Sequence, residues 1–91
     1  MDKNIISCGD VLDISVVAKM HEELKHAIEN STTIELDAKD LQRIDGAGIQ
    51  LLVSLFADAQ ELQIDLSWGE TSESLLHAAT LLGVRPQLHL N

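Results

Sequence analysis

Apolar residues recur along the first third of the chain at the spacing of an amphipathic helix. They lie three or four residues apart, with charged residues between them: Val17, Met20, Leu24 and Ile28. Such a stripe is typical of a helix that packs one face on a core. Asp13 precedes the stripe as a candidate N-cap, and a polar cluster follows it at residues 30–32. The pattern predicts a first helix over residues 14–29.

Two later stretches alternate polar and apolar residues, which is typical of strands with one buried face. They are residues 33–38 and 64–68. A shorter apolar run, residues 5–8, ends at Gly9 and predicts a brief first strand. Leu41 and Ile44 are expected to anchor the loop after the second strand in the core.

Two further helices are each introduced by a polar residue suited to cap them. Asp45-Gly46-Ala47-Gly48 precedes one apolar stripe: Ile49, Leu52, Val53, Phe56 and Ala59. Ser72 precedes the other, Gly83 is placed to end it, and Pro86 prevents its continuation. Residues 88–90 are expected to form a last extended segment.

Strands and helices therefore alternate along the chain, with short connections between them. This order implies βαβ crossovers and a mainly parallel sheet. We expect a single α/β domain over residues 1–91, in which a small, mixed but mainly parallel sheet packs against three to four helices. A chain of 91 residues, 45% of them apolar, can build one such core but not two.

The charge of the chain narrows the classes of partner. Six Lys and Arg against fifteen Asp and Glu give a net charge of −9, and the basic residues are scattered. A nucleic-acid partner is therefore not expected. No stretch approaches the roughly 20 apolar residues that span a bilayer, and the first nine residues do not resemble a signal peptide. We expect a cytoplasmic protein with no direct membrane insertion.

Candidate catalytic groups are few and lack the spacing of known sites. The four histidines form no i, i+4 pair that would hold a metal on one helix face. Cys8 is the single cysteine and lies in an apolar run, which is typical of a buried thiol. The sequence contains no nucleophile-elbow or phosphate-binding glycine motif. We predict no catalytic residue, no metal and no cofactor.

Asp45-Gly46-Ala47-Gly48 is the one segment with informative chemistry. It places backbone N–H groups at a helix N-terminus, which favours negative charge and can stabilise a carboxylate or a phosphorylated hydroxyl. The simpler interpretation, favoured on physical grounds, is that Asp45 caps the helix while Gly48 permits close packing.

A receiver domain phosphorylated on Asp37, at the end of a strand, is a further interpretation. Receivers need an acidic pair after the first strand and a lysine after a late strand. Here Asp10 and Asp13 straddle a turn, and no lysine follows Lys39. The missing lysine counts against a receiver.

Ile34-Glu35-Leu36-Asp37, followed by Leu41 and by Ile44-Asp45-Gly46-Ala47-Gly48-Ile49, resembles the centre of STAS domains. These small regulatory modules are related to anti-sigma factor antagonists. Residues 9–24 resemble the first helix of the family, and residues 64–83 resemble its next strand and terminal helix. The resemblance covers nearly the whole chain and implies a STAS fold with a non-catalytic, protein-binding role.

Three departures from the family pattern affect what it implies. Gly46 occupies the position of the phosphorylatable Ser or Thr, so no phosphorylation is expected there. Gln63 stands where a helix-ending glycine is common, so this cap is expected to be strained or differently built. The chain before Gly9 is short, so the N-terminal hairpin of the family is expected to be trimmed or to lack its first strand.

The resemblance also implies which residues bind a partner. The surface centres on one segment, with one aspartate on each side of it: Asp45, Gly46, Ala47, Gly48 and Ile49, with Asp13 and Asp37. Without a hydroxyl at residue 46, the chain is expected to behave like a permanently dephosphorylated antagonist.

Two classes of protein partner follow from the resemblance. The first is an anti-sigma kinase or a chemotaxis signalling protein in a bacterial signalling or partner-switching circuit. The alternative is the ATPase of a lipid-transporting ABC transporter, with the chain as a cytoplasmic scaffold subunit. Nucleotide binding by the domain itself is a weaker interpretation, because no basic residue is placed to hold phosphates. Homodimerisation is left open.

Overall fold

A computed structural model describes residues 3–90 of the chain. Within those residues there are five strands and three helices, which include the three predicted strands and the three predicted helices in the predicted order. The strands are β1 (Lys3–Ser7), β2 (Val11–Leu12), β3 (Thr33–Asp37), β4 (Arg43–Ile44) and β5 (Asp65–Trp68). The helices are α1 (Val17–Asn30), α2 (Gly46–Glu61) and α3 (Glu73–Leu81).

The main sheet has three strands in the order β1-β3-β5, and both pairings are parallel. In the central strand, Ile34 and Leu36 are buried, and the residues that alternate with them, Thr33, Glu35 and Asp37, are half-buried. The outer strands expose the residues level with Glu35, which are Ile5 and Ser67. The helices therefore cover one face of the sheet, and the other face is open to solvent. The predicted α/β class and mainly parallel sheet are confirmed.

β2 and β4 pair in parallel as a second sheet, which the sequence pattern does not predict. Each is two residues long, too short for alternation to show. Asp45 N–H extends the contact by donating to the Leu12 carbonyl over 3.3 Å. β1 pairs with β3 and β2 with β4, so no hairpin joins β1 to β2 within residues 3–90. This second sheet brings the loops before α1 and before α2 side by side.

The core is mostly aliphatic, and α2 contributes more buried residues to it than α1 or α3. Those of α2 are Gly48, Ile49, Leu51, Leu52, Leu55, Phe56 and Ala59. Of the two predicted loop anchors, Leu41 is fully buried and Ile44 packs against the core while half-buried. The burial of α2 along its length fixes the position of its first turn.

The predicted start and cap of α1 are wrong. The helix begins at Val17 rather than Ile14, and its N-cap, Val16, makes no side-chain cap hydrogen bond. Asp13 closes an earlier turn, because its carboxylate accepts from the Ser15 N–H over 3.0 Å. The pairing of β2 with β4 sets the direction of the chain up to Leu12, and this extra turn redirects it into the helix.

The ends of α2 and α3 follow the predicted chemistry. Ser72 caps α3 by accepting from the Leu75 N–H over 3.2 Å, and Gly83 follows the helix with a φ of 68°. After α2, Gln63 adopts a left-handed φ of 60°. This conformation costs a residue with a Cβ about 1–2 kcal/mol. The strain expected from the absence of a glycine at residue 63 is therefore present.

The prediction of an extended last segment is wrong, because the chain forms turns over residues 85–89. Pro86 has no N–H to donate to a sheet, and His89 has a φ of 56° that interrupts an extended run. Leu88 is nevertheless buried, and its carbonyl accepts from Nε1–H of Trp68 over 2.8 Å. Trp68 also stacks on Phe56, with 5.7 Å between the ring centroids.

Candidate functional site

The Asp45 turn, defined as residues 45–49, opens α2 at the surface. Asp45 is exposed and has an extended backbone, with φ −109° and ψ −175°. Its Oδ1 accepts a hydrogen bond from the Gly48 N–H over 3.0 Å. The carboxylate thereby satisfies one free N–H of the first turn and complements the positive end of the helix. The prediction that Asp45 caps α2 is confirmed.

The two glycines of the Asp45 turn have different structural roles. Gly46 is exposed, its φ is not left-handed, and no atom within 4 Å would meet a Cβ placed on it. Gly48 is buried, and a Cβ there would collide with the Leu12 carbonyl oxygen and lie 2.9 Å from Cγ1 of Ile44. The backbone therefore requires glycine at residue 48 but not at residue 46, and the predicted close packing at Gly48 is confirmed.

The loop between β2 and α1 binds the same carboxylate. Oδ2 of Asp45 accepts from the Ile14 N–H over 3.2 Å, while the Ile14 side chain is 74% exposed. The neighbouring Asp13 is half-buried. A hydrogen bond from the Ser15 hydroxyl is the main factor that lowers the pKa of Asp13, and the charge of Arg43 adds to it. The structure therefore brings Asp13 and Asp45 together on adjoining loops and favours the charged form of Asp13.

Asp37 lies at the end of β3, where it has partners of its own. Its Oδ1 accepts from the Lys39 N–H over 3.0 Å, and the Lys39 ammonium lies 3.8 Å from Oδ2. Its carbonyl accepts from the Cys8 N–H over 2.9 Å. These contacts join Asp37 to β1 and to the loop after β3, whereas Asp13 meets Asp45 through Ile14.

Two shallow hollows flank the Asp45 turn. One, of about 420 Å³, lies between Asp45 and α3 and includes Arg43, His77 and Leu81. The other, also about 420 Å³, lies between α1 and α2 and includes Ile14 and Ala47. Leu81 is 70% exposed, so each hollow carries one prominent aliphatic side chain. Sequence reasoning missed both, because Ile14 was assigned to the first helix and no local pattern marks Leu81 as exposed.

The reactive side chains do not form a second site in the described part of the chain. Burial, with a smaller contribution from the Asp37 charge, raises the pKa of the Cys8 thiol to about 11. Within residues 3–90, no three His, Cys, Asp or Glu side chains are grouped so that they could hold a metal ion. None of the helices described has the length and apolar composition to cross a membrane.

The fold and the site together define a small α/β module whose distinctive surface is an acidic helix-capping turn between two hollows. The family model described as "Mlab, STAS domain" matches residues 3–88. The chain therefore belongs to the STAS domain family, as the sequence resemblance predicted. No curated protein matches the chain significantly.

Membership of this family carries a general statement about function. STAS domains are in general non-catalytic regulatory domains that interact with protein partners. The match supports a regulatory role like that of an anti-sigma factor antagonist.

Proposed function

We propose that this chain is a cytoplasmic regulatory STAS domain that binds a protein of a bacterial signalling or partner-switching circuit through the Asp45 turn. We further propose that its binding is not switched by phosphorylation at residue 46. The observation that carries this proposal is the state of Gly46: the residue is exposed, has open space around it and offers no hydroxyl.

The solvent-exposed residues of the Asp45 turn are the ones that would contact the partner directly. Asp45 and Gly46 are exposed and Ala47 is half-buried, whereas Gly48 and Ile49 are buried. The buried pair contributes by holding the turn in place. Asp13 adds charge beside the turn, and Asp37 adds charge from its separate place at the end of β3. Ile14 and Leu81 add apolar surface in the two hollows.

The absence of a hydroxyl determines how the interaction is regulated. In the family pattern, a phosphate at this position adds about −1.5 to −2 charges to the docking surface and opposes binding by repulsion and desolvation. Gly46 cannot accept a phosphate, and the neighbouring Asp45 carboxylate is engaged by two backbone N–H groups. The proposed regulator therefore remains competent to bind whatever the activity of a kinase in the circuit.

Affinity capture from the native cells tests the proposal. The tagged chain is compared with Gly46→Glu, which adds charge and bulk at the open position, and with Gln60→Glu, a matched charge change at an exposed α2 residue outside the turn. We expect a signalling partner with the wild type and with Gln60→Glu, and its loss with Gly46→Glu. Equal capture by all three would contradict docking through the turn.

The identity of the captured protein separates the two partner classes. A kinase or another signalling protein supports the proposal, whereas the ATPase of an ABC transporter identifies the chain as a scaffold subunit. Mass spectrometry of the chain from the same cells examines regulation. A phosphate found within residues 44–49 would contradict the proposal that binding is not switched by phosphorylation at residue 46.

A further inference from the structure

Two adjoining hollows lie between α1 and α2, and the nearer one begins at the Asp45 turn. The near end is the hollow that contains Ile14 and Ala47, and the far end is a hollow of about 390 Å³ that contains Leu62. Both hollows are lined by His21, Leu51 and Ser54, so they adjoin, and together they are here called the α1–α2 groove. α2 has 16 residues, which gives the groove a length of about 24 Å.

The groove is apolar along its floor and at both ends. Leu24, Leu51 and Leu55 form part of the floor. Ile14 at the near end is 74% exposed and Leu62 at the far end is 58% exposed. Large aliphatic side chains at both ends of a helix-lined groove match the spaced apolar anchors of a helix lying in it.

The charges around the groove identify the kind of helix that fits. Glu29 and Asp58 line the far end together with Lys25. Asp13 and Asp45 lie beside the near end, in the neighbouring hollow, which Arg43 also lines. Neither Glu29 nor Asp58 forms an ion pair with any residue in the part of the chain that the structure describes. Four carboxylates against the two cations Lys25 and Arg43 therefore leave the surroundings of the groove with an excess of negative charge, of which Glu29 and Asp58 are without an ion-pair partner among the described residues.

The negative charge of the chain also disfavours a second copy of the same chain as the occupant of the groove. Each chain has a net charge of −9, so a dimer through this groove would bring two acidic surfaces together. A helix that carries Lys or Arg beside its apolar face would instead place positive charge against the rim carboxylates.

We propose that the α1–α2 groove binds a basic amphipathic helix of the partner protein. Its apolar residues would lie on the leucine floor, and its basic residues would meet the carboxylates at the two ends. This inference rests on the proposed function, because the groove begins at the Asp45 turn and Ala47 lines it.

A synthetic peptide of Leu and Lys, about 16 residues long with helical periodicity, provides the probe. One control peptide has the same composition in scrambled order, and a second has Glu in place of Lys. Titration into the ¹⁵N-labelled chain is followed by NMR. We expect the amphipathic basic peptide to shift the amide signals of His21, Leu51 and Ser54, and the two controls to leave them unchanged. Shifts confined to the open sheet face, at Ile5 and Ser67, would overturn the inference.

Two variants with the same charge change separate the groove from general electrostatic attraction. Ser54→Arg places a large cation between the two ends of the groove, and Gln60→Arg places one at an exposed α2 residue outside it. We expect Ser54→Arg to weaken peptide binding about tenfold and Gln60→Arg to leave it nearly unchanged. Equal weakening by both variants would show that charge alone drives binding and would contradict the inference.

The same variants distinguish failure of this inference from failure of the proposed function. A captured partner that is lost with Gly46→Glu but retained by Ser54→Arg would establish docking at the Asp45 turn without the groove. A peptide that binds the groove, together with a partner whose capture is insensitive to Gly46→Glu, would establish binding in the groove without docking at the Asp45 turn.

Discussion

The carboxylate of Asp45 joins the start of α2 to the backbone of Ile14, 31 residues earlier in the chain. One oxygen accepts from the Gly48 N–H over 3.0 Å and the other from the Ile14 N–H over 3.2 Å. A single side chain therefore caps a helix and holds the loop that precedes α1. The surface that we propose for docking depends on both bonds, because they hold Ile14 near Ala47 at the start of α2.

Replacing Asp45 is expected to loosen both elements. Asp45→Ala removes two hydrogen bonds and should lower the free energy of unfolding by about 1–2 kcal/mol, measured by urea denaturation. Asp45→Asn keeps an oxygen for the cap and should cost less. Ser72→Ala, which removes the single cap bond of α3, is the matched control and should cost about 1 kcal/mol. An Asp45→Ala variant as stable as the wild type would contradict this dual role.

The two glycines of the Asp45 turn are expected to respond oppositely to the same substitution. Gly46→Ala meets open space and should be neutral or stabilising by up to about 1 kcal/mol. Gly48→Ala forces a methyl group against the Leu12 carbonyl and Ile44, and should destabilise by about 1–3 kcal/mol. Thermal unfolding followed by circular dichroism measures both. Similar effects of the two substitutions would mean that the close approach at Gly48 is not a constraint.

Gln63→Gly is expected to stabilise the protein. The left-handed φ of 60° penalises the Cβ of glutamine, and its removal outweighs the extra freedom that glycine gives the unfolded chain. We expect a gain of about 0.5–1 kcal/mol in urea denaturation. Gln60→Gly, inside α2, is the control and should lose about 1 kcal/mol. A loss in both variants would argue against strain at residue 63.

Asp13 is expected to titrate below the ordinary value for aspartate, about 3.9. Its pKa is lowered in the folded state, so its contribution to stability is fully present above the unfolded pKa and is lost as pH falls through the folded pKa. The Ser15 hydroxyl is the main cause, so Ser15→Ala should raise the pKa of Asp13. Carboxyl-carbon NMR titration measures both values. The same pKa in the wild type and in Ser15→Ala would exclude this hydrogen bond as the cause.

Cys8 is expected to react slowly with alkylating reagents. It is 3% exposed, so a reagent has little access to its sulfur. The pKa of its thiol is raised to about 11, so only a small fraction is in the reactive thiolate form at a pH near 8. Iodoacetamide labelling, measured by mass spectrometry, should be slow in native buffer and fast in urea. Equal rates in the two conditions would mean that residue 8 is accessible in the folded chain.

Sequence patterning predicted the long elements because each has a periodic buried face. The alternation around Ile34 and Leu36 and the stripe of α2 both correspond to buried residues. The caps at Asp45 and Ser72 were predictable because their chemistry is local. β2 and β4 were not, because strands of two residues have no period and depend on pairing with a distant segment.

The candidate site was predictable only in its local part. The Asp45 turn could be found from its own residues, whereas its contact with Ile14 arises from the β2–β4 pairing. The exposure of Ile14 follows from the late start of α1 at Val17, which the apolar spacing did not reveal. The α1–α2 groove likewise depends on how two helices pack, which neither helix encodes alone.

Trp68 gives the protein an intrinsic optical probe. The chain has one tryptophan and no tyrosine, so its near-ultraviolet emission comes from a single place. There the indole stacks on Phe56 of α2 and donates to the Leu88 carbonyl of the last turn. The fluorescence of Trp68 therefore reports whether the C-terminal residues are packed against β5 and α2. The measurement needs no added label that would alter the acidic surface proposed to bind the partner.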